Sequence, residues 1–134
     1  MGTHINGLKT FDSSRTDCDI WMFNEAPNYK DKNGNLLYPK ANAFFQLPHE
    51  AIWKNPKNRT DEEYYNWLTS GNTPTAYMQD KFNDVPESVR YPIEKVFELT
   101  KNAKIVVNGK ERQIKYFSSS PDFAFALAAQ MYKE

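Results

Sequence analysis

The 134 residues carry 17 lysines and arginines against 17 aspartates and glutamates, so no long-range field gathers nucleic acid or an anionic membrane, and neither is an expected partner. Hydrophobic residues make up 40% and aromatics 15%, enough for one modest core, so residues 1–134 read as a single ordered domain with 1–15 as a mobile lead-in. One cysteine, Cys18, excludes a disulfide framework and a cysteine-rich metal site, and the two histidines, His4 and His49, share no ligand motif, so neither a metal nor a cofactor is expected.

No charged leader precedes an apolar run, and no apolar stretch has membrane-spanning length; the expectation is a cytoplasmic protein. In chain order, Cys18-Asp19-Ile20-Trp21-Met22-Phe23-Asn24 reads as a buried strand that delivers Asn24 to its C-terminal edge, before Glu25-Ala26-Pro27 turns the chain out. Asn24 there is either a ligand-binding amide or simply the residue that makes the turn. Asp31-Lys32-Asn33-Gly34-Asn35 is a turn by its Asn-Gly. Its oxygen spacing resembles a calcium loop, but the twelfth position is Asn42 rather than a bidentate glutamate.

Ala41 to Leu47 reads as a second strand, ending in Gln46 and stopped by Pro48; His49 follows as a helix-start or surface residue, with a general base as the competing role. Asn58-Arg59-Thr60 reads as a helix-entry loop. Thr60 and Glu63 have the spacing of a capping box, opening a helix with Tyr64, Tyr65, Trp67 and Leu68 that ends at Gly71. Thr75 to Gln79 is a third strand, Val85 to Pro92 a loop, and Ile93 to Thr100 a helix with Ile93, Val96, Phe97 and Leu99 inward. Arg90 offers a cation to a phosphate, against the commoner solvent or carboxylate partner.

Lys104–Val107 and Arg112–Phe117 flank Asn108-Gly109 and read as a hairpin. The last segment passes from Tyr116-Phe117 through Ser118, Ser119 and Ser120 into an apolar helix. Free N–H groups and the helix dipole beside three hydroxyls suit a phosphate or carboxylate; equally, Ser120 as cap, Pro121 at the first position and Asp122 in the first turn describe an ordinary helix start. The helix is apolar nearly all round, with Phe123, Leu127 and Met131 in one row, and should be buried on more than one side.

Strands alternating with helices argue for a mainly parallel α/β layer fold with a β-hairpin insertion, and such sheets bind ligands at the C-terminal strand edges. Asn24, Gln46, His49, Gln79 and Ser118 to Ser120 fall at such edges. The aromatics are at core spacing. No Walker-type lysine loop and no Gly-x-Ser-x-Gly elbow is present.

Four short motifs carry a resemblance: Trp21-Met22-Phe23-Asn24, Phe44-Phe45-Gln46-Leu47-Pro48-His49, Val85 to Pro92, and Tyr116-Phe117-Ser118-Ser119. In these the chain resembles a group of uncharacterised phage and bacterial Rossmann-like proteins and, more distantly, bacterial sialyltransferases that use a CMP-activated sugar and pterin pyrophosphokinase-like proteins. The resemblance implies a small three-layer Rossmann-like sheet and a nucleotide or nucleotide-sugar ligand, with Asn24, Ser118, Ser119 and Ser120 at the nucleotide. Relatives begin with a strand ending in a Gly-x-Gly-like loop and continue past the late helix into a strand ending in Gly-x-Asp. The expectation is therefore a scaffold incomplete relative to that family. A non-catalytic, phage-type binding or assembly protein is the alternative, whose uncovered sheet edges are met by self-association or a protein partner.

Overall fold

The computed structural model describes residues 16–58, 63–101, 104–113 and 119–133. Four short strands, β1 (Trp21–Phe23), β2 (Ala43–Gln46), β3 (Thr75–Met78) and β4 (Ser88–Arg90), form one parallel sheet in the order β1-β2-β3-β4. Four α-helices accompany it: α1 (Glu50–Trp53), α2 (Tyr64–Leu68), α3 (Ile93–Thr100) and α4 (Ser120–Lys133). A separate antiparallel pair, β5 (Lys104–Val107) and β6 (Lys110–Gln113), and two 3-10 turns, Ala26–Asn28 and Pro56–Asn58, complete the described elements.

The pleat divides the sheet residues between two cores. Phe44, Ala76 and Met78 point to one face and pack with Trp53 of α1, Tyr64 and Leu68 of α2, and Val85. Trp21, Phe23, Phe45 and Tyr77 point to the other, against Val96 of α3 and Phe123 and Leu127 of α4. All four β2 side chains are buried, as a strand covered on both faces requires. The result is a three-layer, small Rossmann-like α/β fold. Its strand order runs straight through, with no reversal among the described strands, so the edge it offers a ligand is not the switch point of a doubly wound sheet.

Two expectations are corrected. The loop expected over Val85 to Pro92 contains β4, which pairs with β3 from Ala76↔Ser88 to Met78↔Arg90. Pro86 and Pro92 bracket it, leaving room for three ladder residues that pattern alone does not reveal. The connection is held by Ser88, whose buried Oγ donates to the Val85 carbonyl at 2.7 Å and accepts from the Phe82 N–H at 2.9 Å. The closing helix, expected to be buried on more than one side, is not. Leu127 is buried, while Phe125 is 76% and Tyr132 94% exposed: among the described residues α4 packs by one face, chiefly on β1, α3 and Tyr91.

The hairpin turns on Asn108-Gly109 with φ of 50° and 73°, the doubly left-handed turn that this dipeptide favours. The lead-in over residues 1–15, the Thr60 cap and the Tyr116–Ser118 segment lie outside the described residues. Glu63 stands at the N-cap of α2 in helical backbone, one position before the helix rather than three residues into it.

Candidate functional site

Because the four strands run in one direction, their C-terminal ends converge on a single edge of the sheet. The register Gln46↔Met78↔Arg90 sets one row across it, and Asn24 continues that row beyond β1, since Phe23 pairs with Phe45. Asn24 has φ of 50°, a left-handed conformation that asparagine tolerates, and its N–H still donates to the Phe45 carbonyl at 2.9 Å. It therefore finishes the ladder and turns the chain in one step, leaving its exposed side chain at the edge.

Gln46 ends β2 on the face covered by α2 and is 4% exposed. A carboxamide this deep must be hydrogen-bonded, and the Tyr64 hydroxyl donates to its Oε1 at 2.7 Å. Burial, and secondarily the negative charge of Glu25, push the Tyr64 phenol well above its ordinary pKa. It stays protonated and keeps donating. Glu25 directly follows Asn24 and opens a 3-10 turn, Ala26–Asn28, in which Pro27 and Asn28 are buried. Gln79, just past β3, donates from Nε2 to the Leu47 carbonyl at 2.7 Å, pinning the end of β2 to the end of β3. Asn24, Gln46 and Gln79 are thus brought to one edge, as their strand positions imply.

The remaining expected residues do other things. His49 is exposed and caps α1, its Nδ1 accepting from the Ala51 N–H at 3.2 Å. Arg90 reaches the same edge, but Glu94 grips its guanidinium with both carboxylate oxygens, Nη1 to Oε2 at 2.9 Å and Nη2 to Oε1. The Arg90 hydrogen bonds hold the Glu94 carboxyl down at about 2, and both side chains are exposed.

At the start of α4 the serines behave as a cap. Asp122 reaches back to accept from the Ser119 N–H at 3.0 Å and from its hydroxyl at 2.9 Å. The cap is Ser119, not Ser120, which is the first helical residue. A carboxylate of the chain itself stands where an anion was expected. The hydrogen bonds of Ser119 stay within the helix start, and those of Gln46 and Gln79 stay at the strand edge. Ser118 lies outside the described residues.

Sequence reasoning missed Tyr64 and Glu25 as members of this edge. A glutamine closing a fully apolar strand was the available signal, since its burial demands a polar partner from a covering helix. A second feature lies along β1, where Asp19, Trp21, Phe23, Pro121, Ala124, Phe125 and Ala128 line an open, mostly apolar groove of about 500 Å³. Among the described residues no helix is long and apolar enough to cross a membrane, and no three histidine, cysteine, aspartate or glutamate side chains gather as a metal site would require. No family model, curated protein or solved structure matches this chain.

Proposed function

We propose that this chain is a nucleotide or nucleotide-sugar binding domain of glycosyltransferase-like type, receiving the base or sugar at the C-terminal edge beside Asn24, Gln46 and Gln79. The observation that carries the reading is the convergence of three carboxamides on one edge of a parallel sheet, with the most buried of them, Gln46, held by Tyr64 at 2.7 Å. Carboxamides supply one acceptor and two donors each, a set suited to base edges and sugar hydroxyls. At Ser119 a phosphate can bind only by displacing the Asp122 carboxylate, which already takes both of that residue's donors. The phosphate is therefore a minor contributor, and a nucleoside binds nearly as well as its monophosphate.

Thermal shift and calorimetry with uridine, cytidine, their monophosphates and sugar conjugates test the reading. The expected result is saturable binding weakened by Asn24→Ala and Gln46→Met. No binding at millimolar ligand to folded protein rejects it. A second reading, a binding or assembly protein, is favoured by the β1–α4 groove, lined in part by the exposed Phe125, and by the exposed Met131 and Tyr132 on the same helix. Sedimentation across a hundredfold concentration range separates the two.

A further inference from the structure

We propose that Gln46, oriented by Tyr64, reads a neutral acceptor atom of the ligand, a base keto oxygen, ring nitrogen or sugar hydroxyl, and not a phosphate. The inference rests on the nucleotide reading and assigns Tyr64 the role of a positioning residue that acts through Gln46.

Three observations converge. First, the two ends of the Gln46 carboxamide are treated differently. Oε1 takes the Tyr64 proton at 2.7 Å, while Nε2 has no acceptor among the described residues, and the residue is 4% exposed. A buried amide fixed at its oxygen has the orientation of its NH2 group fixed as well, and only acceptors satisfy those two N–H groups. Second, Tyr64 is buried, 1% exposed, and its phenol is kept protonated by burial and by the carboxylate of Glu25, so the donor that fixes Oε1 is not lost near neutral pH. The amide cannot turn over without breaking that bond.

Third, the local charge disfavours an anion. Glu25 is close enough to raise the Tyr64 pKa, and Arg90, two strands along the same row, is neutralised by Glu94 and lies within the field of Asp80. A phosphate placed against Nε2 would find no uncompensated cation in that row, where Arg90 is already held by Glu94. A neutral acceptor meets no such penalty.

The test compares a nucleoside with its monophosphate on four full-length proteins: wild type, Gln46→Met, Tyr64→Phe and the double variant. Gln46→Met removes the donors at similar volume, and Tyr64→Phe keeps the ring. Calorimetry with uridine and with uridine monophosphate, or the cytidine pair if those bind better, should show Gln46→Met weakening both ligands by the same factor, roughly tenfold. Tyr64→Phe should weaken both severalfold and add nothing in the Gln46→Met background, a non-additivity that a purely structural tyrosine would not produce.

A loss confined to the monophosphate places the phosphate at Gln46 and overturns the inference, as does wild-type affinity in Gln46→Met. Additive losses in the double variant overturn the positioning role of Tyr64. Failure of every ligand to bind the wild type instead rejects the underlying nucleotide reading and removes the inference with it. If Tyr64→Phe fails to fold, Gln46→Glu serves in its place. It keeps an acceptor for Tyr64 while removing the Nε2 donors, so it should lose both ligands; unchanged binding overturns the inference.

Discussion

Two regions of this protein offer polar groups to a ligand, the strand edge around Gln46 and the start of α4 at Ser119, and they differ in what those groups already hold. At Ser119 the backbone N–H and the hydroxyl both end on Asp122, so the donors of that residue are satisfied by its own chain. At Gln46 one end of the carboxamide is satisfied by Tyr64, and the other has no acceptor among the described residues. From sequence the serines look like the stronger anion site, since three hydroxyls precede a helix. Hydrogen-bond accounting reverses the order: a polar cluster is available to a ligand only to the extent that its donors are not already committed.

Substitutions can break or sharpen this contrast. The largest expected effect is at the strand edge, where Tyr64→Ala removes a fully buried ring from the core and orphans the Gln46 carbonyl. A loss of about 3–5 kcal/mol is expected by chemical denaturation. Ser119→Ala should cost about 1 kcal/mol through the lost cap contact and leave nucleoside affinity unchanged, because the helix start acts as structure there. If Ser119→Ala instead weakens nucleotide binding by more than tenfold while stability is kept, the two regions have been assigned the wrong way round. Phe125→Asp should change stability by no more than about 0.5 kcal/mol, since the ring is 76% exposed. It should abolish any self-association seen by sedimentation if the β1–α4 groove is an interface.

The smallest effect concerns Arg90 and Glu94. Arg90 holds the Glu94 carboxyl down at about 2 in the folded state, below its ordinary value of 4.5. A depressed folded pKa contributes stability that is present above the ordinary value and fades as pH falls toward about 2. Glu94→Gln should therefore flatten the stability profile between those limits, lowering stability slightly at neutral pH and leaving it unchanged near pH 2. Because the pair is exposed, the change should also shrink with added salt.

Much of the scaffold is legible in the chain. The Trp21 to Phe23 strand, the Ala43 to Gln46 strand, the Thr75 to Met78 strand and the Ile93 to Thr100 helix each follow from an apolar pattern with clear stops. β4 was hidden because three residues between prolines have no period to read, and its identity as a strand comes from β3 beside it. Asn24, Gln46 and Gln79 were recognisable as edge residues because each ends a strand. The Tyr64 bond was not, since it joins residues 18 apart through the packing of α2 on the sheet, and an aromatic helix position looks the same whether or not its hydroxyl has a partner. The cap illustrates a smaller limit: Ser119 and Ser120 are equally good caps in sequence, and the reach of Asp122 over three residues decides between them.

The most direct test follows the side-chain amide protons of Gln46 by nuclear magnetic resonance, identified by their absence from the Gln46→Met spectrum, during titration with uridine and cytidine nucleotides. The account predicts that the Gln46 resonances, with those of Asn24 and Gln79, shift and saturate together while the Ser119 backbone amide stays in place. Saturating shifts centred on Ser119 and Ser120, with Gln46 unmoved, would contradict it.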